Sequence, residues 1–452
     1  MKNVYFIGIG GIGMSALARY YKFKGYAVAG YDRTPSDLTF ALEREGIDVH
    51  YQDLPDQLPL DKNETLVVYT PAIPADLGEL VKAREEGYLL LKRSRTLGEI
   101  ARGQRCLAVA GTHGKTTTST LVAHILTQSG EGCSAFLGGI SRNYDTNLLV
   151  SENNTIVAEA DEFDRSFLQL FPEIAVITAV DADHLDIYGD YAHVVEAFKA
   201  FASQVSGTLI AKKGTPIGPN DTPAKFYTYH YTDTGADFYP INPKADIYGC
   251  FHYDLHTPSG VVPDIRVGAP GWVNAENSVA AAAVALTYGI DPEAVKEAIG
   301  TFEGVKRRLE VHVNTPQLAY VDDYAHHPAE LKSAITSLRD IFPSRKLTAI
   351  FQPHLYTRTR DFYHEFADAL SLLDEVVLTE IYPAREEPIE GVTSQLIYDN
   401  LRPGIEKQLI RKDDVLSFVR SHQFDVLIVL GAGDLDNYVP QIKQILKRRA
   451  TP

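Results

Sequence analysis

Gly111-Thr112-His113-Gly114-Lys115-Thr116-Thr117 follows the apolar run 106–110 and precedes a helical pattern carried by Leu121, Val122, Ile125 and Leu126. A glycine turn between a strand and a helix start aims backbone N–H groups and the positive end of the helix dipole at one spot, where a polyphosphate sits. In that arrangement Lys115 reaches the terminal phosphates and the Thr116 hydroxyl helps to hold Mg²⁺. The usual pattern G-x-x-x-x-G-K-[ST] asks for a glycine five residues before Gly114, and Val109 stands there. The string departs by one residue while its physics is kept. Nucleoside triphosphate binding is the first expectation; a glycine turn with a solvated lysine is the alternative.

A second glycine turn, Gly8-x-Gly10-Gly11-x-Gly13, follows the strand-like residues 4–7. A helix with Met14, Leu17, Ala18 and Tyr21 on one face comes next, then a strand over 26–31 ending at Asp32. That is the distance at which dinucleotide-binding folds place a ribose-binding acid, so these residues alone read as NAD binding. The stretch from Lys2 to Ala16-Leu17-Ala18 also has the outline of a signal peptide, but its four glycines suit a turn better than an apolar helix. Further on, the strands 155–158 and 174–178 run into Glu159-Ala160-Asp161-Glu162 and Asp181-Ala182-Asp183-His184. Ligands gather at the carboxyl ends of parallel strands, so Glu159 and His184 are candidates for a metal or phosphate site. An acidic helix cap is the plain alternative for Glu159, and for His184 the preference of Mg²⁺ for oxygen counts against ligation.

The elements that must position these groups alternate between apolar strands and amphipathic helices. In the first part, strand 66–69 leads to a turn at Thr70-Pro71-Ala72-Ile73-Pro74, then a helix near 77–86 and a strand over 88–91. The strand after Gly103 opens a second unit, which continues with strand 133–137 and a loop holding Gly138-Gly139. Residues 226–267 read as a small β excursion without chemistry. A helix over 275–286 follows, with Asn274 and Asn277 three residues apart on one face. From Leu309 the pattern restarts. Four strands deliver polar or glycine residues at one sheet edge: Asp322 to Pro328, Gln352 to Arg360, Glu380 to Pro388, and Gly431 to Asp434. His326, His327 and His354 lack compact zinc spacing, so substrate contacts are the preferred reading.

At 452 residues the chain is long enough for about three domains, and 45% hydrophobic with 23% charged residues is the composition of a soluble globular protein. A net charge of −16 argues against nucleic acid and against an anionic membrane surface. The three cysteines form no C-x-x-C pair, which suits a reducing compartment, and no apolar run approaches the ~20 residues of a membrane span.

In their joint order, these stretches resemble the Mur ligases of bacterial peptidoglycan synthesis over nearly the whole chain. Gly8, Gly10, Gly11, Gly13, Met14 and Ser15 are similar to the family's UDP-binding turn, residues 111–117 to its ATP loop, 159–162 and 183–186 to its metal region, and 322–328 and 352–354 to its C-terminal site. The resemblance implies three α/β domains: a Rossmann-like UDP-sugar domain over 1–103, a central P-loop ATPase-like domain over 104–308 and a Rossmann-like domain over 309–452. It replaces NAD by the diphosphate of a UDP-sugar, with Asp32 and Thr70 beside it. It further implies that ATP phosphorylates the lactyl carboxylate of UDP-N-acetylmuramate and that L-alanine attacks the acyl phosphate. Gly111, Thr112, His113, Gly114, Lys115, Thr116 and Thr117 would hold ATP, with Asn274 and Asn277 facing adenine and Arg308 and Asp323 also on the nucleotide. Thr116, Glu159 and His184 would hold one or two Mg²⁺ ions. Tyr324, His326, His354 and Arg358 would border the alanine pocket, and Lys115, Glu159, His184, His354 and Arg358 would carry the catalysis.

The enzyme is expected in the cytoplasm, as a monomer or weak homodimer, and three domains with the site between them are expected to close on the substrates. Val273, Ala179 and Leu355 depart from the family's pattern. Lys199 lies near the place of a carbamylated lysine in sister ligases, but its amphipathic surroundings favour a solvated helix lysine. A ligase that recycles murein tripeptide is the neighbouring alternative; an NAD-dependent oxidoreductase or a nonenzymatic nucleotide switch would be of another class.

Overall fold

The structure is a computed structural model that describes residues 1–182, 185–384 and 386–450. Asp183, His184 and Arg385 therefore lie outside the described residues, and with His184 goes one of the expected metal ligands. The chain divides into two compact units, one of 1–242, 253–266 and 276–303, the other of 243–252, 267–275 and 304–452.

The first unit carries two sheets. Strands β1 (Asn3–Ile7), β2 (Ala27–Tyr31), β3 (Asp48–His50), β4 (Thr65–Tyr69) and β5 (Leu89–Lys92) pair in the order β3-β2-β1-β4-β5, all parallel. Alternate residues of β1 serve opposite faces: Val4 and Phe6 enter one apolar core, Tyr5 and Ile7 another. The strand order reverses at β1, so the glycine turn that follows it stands at the point where ligands bind in such sheets.

The second sheet, with order β12-β11-β10-β6-β9-β7-β8, contains β6 (Arg105–Ala110), β7 (Ser134–Ser141), β8 (Thr146–Leu149), β9 (Thr155–Ala160), β10 (Ile174–Ile177), β11 (Thr208–Lys212) and β12 (Lys225–Tyr229). β8 is antiparallel to β7, and the other pairings are parallel. Leu17, Tyr20 and Phe136 belong to one continuous core that joins the two sheets. β7 differs from expectation by running straight through Gly138-Gly139. A Cβ on Gly138 would stand 2.2 Å from Glu159 Oε2, and Gly138 N–H donates to that same oxygen at 3.1 Å. The glycine is thus a place of close approach inside a strand rather than a loop residue.

The β excursion is present as β12 and a small sheet of β13 (Tyr239–Ala245), β14 (Phe251–Thr257) and β15 (Gly260–Arg266). The helix Trp272–Tyr288 begins three residues before the sequence pattern suggested, and its alanines 280–283 are fully buried. In the second unit, β16 (Glu310–Asn314), β17 (Ala319–Asp323), β18 (Leu347–Phe351), β19 (Glu375–Leu378), β20 (Glu406–Leu409) and β21 (Val426–Leu430) pair in the order β16-β17-β21-β18-β19-β20. Only β16 runs antiparallel among the described pairings, so the carboxyl ends of β17, β21, β18 and β19 share one edge. Alternation again fills two cores, Ala319 and Val321 on one side and Tyr320 on the other.

Candidate functional site

Backbone geometry explains the glycines of the 111–117 loop. Gly111 has φ 135°, and a Cβ there would lie 2.2 Å from Thr178 Oγ1 and 2.7 Å from the Ala179 nitrogen. Gly114, at φ 81°, precedes the helix Lys115–Gln128 and receives no side-chain cap. Its first N–H groups therefore point outward, as anion binding requires. Thr178, at the end of β10, holds the loop from below, with Oγ1 3.1 Å from the Ala110 carbonyl and hydrogen-bonded to the His113 carbonyl. Thr112 N–H donates to Ala179 O at 3.1 Å, and its hydroxyl accepts from Asp181 N–H at 3.3 Å. His113 lies 3.4 Å from Asp181, whose carboxyl it holds below the usual range against the effect of burial. Asn277 buttresses the loop: it is nearly buried, and its Oδ1 accepts from the Thr118 hydroxyl at 3.3 Å.

Glu162 stands in the sequence reading only as part of the acidic run 159–162, with no role of its own. Its two oxygens lie 2.9 and 2.7 Å from Lys115 Nζ, and the side chains are only 2% and 12% exposed. Burial works against the ammonium, but Glu162, Asp161 and Glu159 outweigh it and raise the Lys115 pKa. The loop lysine is therefore charged and held by a carboxylate in the place where a phosphate would compete for it. The only sequence signal was the density of acids after β9.

Glu159 projects from β9 one strand away from the loop strand, opposite Val109. It helps line a cleft of about 110 Å³ together with Gly13, Arg93, Gly138 and Asp161. The first glycine turn and the acidic edge of the second sheet thus face the same space. Gly8 and Ile9 N–H groups donate to Tyr31 O, and Gly10 N–H donates to Asp32 Oδ2 at 2.7 Å. Thr70 lies beside Gly8, where a Cβ would stand 3.2 Å from its methyl carbon. The helix Ile12–Phe23 after Gly11 also lacks a side-chain cap. Arg93, which the sequence did not single out, reaches across: Nη1 is 2.8 Å from where a Gly13 Cβ would be, and Nη2 is 3.4 Å from Asp161 Oδ2. Met14 and Ser15 are placed elsewhere, both buried, with the Ser15 hydroxyl donating to Ile12 O and accepting from Asn147 Nδ2. Lys199 is half-exposed and 3.2 Å from Asp221.

In the second unit the histidines and the arginine converge. Arg358 Nη1 lies 3.3 Å from His354 Nδ1, and the His354 ring is 5.7 Å from His326 and stacks on Tyr382 at 5.7 Å. Tyr324 meets His326 edge to face at 5.2 Å. Burial lowers the His326 pKa, partly opposed by Glu330, so the ring is neutral near pH 7. Leu355, at φ 72°, turns the chain into the helix Tyr356–Leu370, and its N–H donates to Tyr382 O at 3.0 Å. Glu386 accepts from Thr357 N–H at 2.9 Å at that helix start. Asp323 is held inward, accepting from the Leu309 and Ala325 N–H groups at 2.7 Å each. Arg308 is 5.4 Å above the Tyr324 ring and 4.0 Å from Glu330. Asn274 donates to Pro270 O at 2.7 Å.

Three family models match the chain: "Mur ligase family, catalytic domain" over residues 3–105, "Mur ligase middle domain" over 109–285 and "Mur ligase, glutamate ligase domain" over 307–433. The chain is 51% identical to the UDP-N-acetylmuramate–L-alanine ligase of Phocaeicola vulgatus and 48% identical to that of Porphyromonas gingivalis, each alignment covering 99% of both chains. Among solved structures it is similar to UDP-N-acetylmuramate-alanine ligase from Thermotoga maritima, with a TM-score of 0.83 and 27% identity over 99% of both chains. A murein peptide ligase from Psychrobacter arcticus shares the fold, with a TM-score of 0.71 and 21% identity over 99% of both chains.

Proposed function

The chain belongs to the Mur ligase family, and from that premise we infer that it is an ATP-dependent ligase joining L-alanine to the lactyl carboxylate of UDP-N-acetylmuramate. The observation that supports the reading best is the cleft shared by Gly13, Arg93 and Glu159. A turn built for a diphosphate opens there onto the acid beside a triphosphate loop. A hydride-transfer reading would leave the 111–117 loop and its paired lysine without a purpose.

The residues divide the work as follows. The uncapped turn after β1 takes the sugar nucleotide's diphosphate, and Arg93 adds a cation beside Gly13. Backbone N–H groups of 111–117 take the polyphosphate of ATP, and Lys115 exchanges Glu162 for phosphate oxygens. Gly138 leaves room for the Glu159 carboxylate, a hard oxygen ligand that, with Thr116, suits Mg²⁺. Mg²⁺ bound there supplies charge neutralisation as the γ-phosphoryl moves. The lactyl carboxylate attacks the γ-phosphorus and ADP leaves, giving an acyl phosphate. The alanine amine then attacks the acyl carbon through a tetrahedral intermediate, and phosphate departs to leave the amide. His354 and Arg358 offer a planar guanidinium and a polar ring for the alanine carboxylate, with Tyr324 and His326 on the border. We assign sugar nucleotide, ATP and amino acid mainly to residues 1–103, 104–308 and 309–452, and both nucleotide substrates place the reaction in the cytoplasm. Among the described residues no helix is long and apolar enough to cross a membrane.

The test is release of phosphate from ATP with Mg²⁺ and UDP-N-acetylmuramate, with either L-alanine or murein tripeptide, and identification of the product by mass. Alanine-dependent release with formation of the alanyl amide is expected. Release with the tripeptide alone would move the chain to recycling, and no sugar-dependent release would overturn the reading.

A further inference from the structure

A second group of chemically able side chains lies at the edge of the C-terminal sheet and is not used by the reaction above. Glu310 on β16 and Asp322 on β17 oppose each other directly across an antiparallel ladder. Two carboxylates in such a pair repel each other. His312 sits where the ladder shifts register between Val311 and Val313, and a bulge of this kind re-aims a side chain. One donor atom from each of Glu310, His312 and Asp322 lies within 4.8 Å of the other two. Asp322 and Asp323 are adjacent in β17, so they point to opposite faces and the cluster is separate from the Asp323 side.

Two buried groups beside this space have no hydrogen bond among the described residues. Neither carboxylate oxygen of Asp322 accepts one, although the side chain is 1% exposed. The hydroxyl of Tyr320, on the same strand face, has no partner either, and its ring is 5.1 Å from that of His312. Arg307 is the nearby cation, with Nε 3.4 Å from Asp322 Oδ2, but its other nitrogens go to Gly431 O at 2.5 Å and Asp436 Oδ2 at 3.1 Å. One guanidinium therefore serves a neighbourhood that also contains Glu310, Asp322 and Asp436. Buried acids in such surroundings are compensated by pairing or by a bound cation.

We propose that Glu310, His312 and Asp322 form a binding site for a divalent transition cation of the zinc class that staples β16 to β17. One imidazole nitrogen and two carboxylate oxygens make up a donor set for such ions, distinct from the all-oxygen set that suits Mg²⁺. A tetrahedral ion with bonds of about 2.0–2.2 Å would draw its donors to about 3.4 Å from one another, closer than the present 4.8 Å limit. The ion would brace the strand that carries Asp323 and leads into Tyr324 and His326.

The full chain, stripped with chelator and held in millimolar Mg²⁺ to fill hard-oxygen sites, is titrated with Zn²⁺ against a chromophoric chelator and, separately, with Co²⁺ while the visible absorption of the bound ion is followed. One Zn²⁺ per chain is expected, with affinity falling at least tenfold in His312→Leu and in Glu310→Gln, and with a rise in thermal midpoint confined to the unsubstituted chain. The circular dichroism of each variant and its alanine-dependent ligase rate without zinc establish that it is folded, so that one misfolded variant leaves the other to decide. Absence of a zinc equivalent in the presence of Mg²⁺, or undiminished binding by a folded variant, overturns the site. The zinc readout does not depend on ligase activity, so its failure is distinguishable from failure of the ligase reading.

Discussion

Replacing Glu162 by Gln isolates the charge of the group that holds Lys115 before nucleotide arrives. The carboxylate lies 2.7 and 2.9 Å from Nζ in a nearly buried pair. Gln keeps one oxygen to accept from the ammonium but loses the second acceptor and the opposite charge, so the nucleotide-free state loses about 1–2 kcal/mol in the variant. In the nucleotide complex Lys115 has moved to phosphate, and Glu162 is a nearby negative charge with its cation withdrawn. Removing that charge costs the complex little. The difference appears as tighter binding, and 1–2 kcal/mol corresponds to roughly 5–30-fold in Kd. Titration calorimetry of a non-hydrolysable ATP analogue with Mg²⁺ measures it directly. An analogue affinity unchanged or weakened in Glu162→Gln would refute the exchange of Glu162 for phosphate.

Other substitutions test separate parts of the same reasoning. Gly111→Ala forces a Cβ into φ 135° and 2.2 Å from Thr178 Oγ1; a loss of more than ~2 kcal/mol in stability and of nucleotide binding is expected, read by urea unfolding and calorimetry. Arg358→Lys keeps the charge but loses the planar fork beside His354, so the KM for L-alanine is expected to rise at least ~10-fold with the sugar-nucleotide KM little changed. His124 is buried against Tyr144 and Thr301, and its pKa is lowered to about 4 by burial. The folded state resists its protonation while the unfolded chain takes up a proton below about 6.5, so this residue's stability contribution is complete above 6.5 and is lost as pH falls toward 4. Roughly 3 kcal/mol is at stake, and His124→Gln is expected to flatten the decline of unfolding midpoint across that window.

The glycine turns, the strand alternation and the order of elements were legible because each is enforced by chain neighbours. Only glycine sits at φ 135° against Thr178, and only alternating apolar residues fill both faces of β1 and β17. The resemblance of the motifs in series then carried the family. Partners remote in sequence were not legible. Glu162 is 47 residues from Lys115, and nothing between them states that β6 and β9 will be adjacent. Arg93 meets Gly13 because the β5 end and the β1 turn share an edge, and Tyr382 meets His354 across neighbouring strand ends. The path of β7 through Gly138 depends on where Glu159 comes to lie, and the Glu310–His312–Asp322 cluster depends on a register shift. Local sequence determined which turns could bind phosphate and which faces were buried, because sterics and side-chain period act over a few residues. The tertiary structure alone decided which charge faces which, because strand order brings distant residues within Coulombic and hydrogen-bonding range.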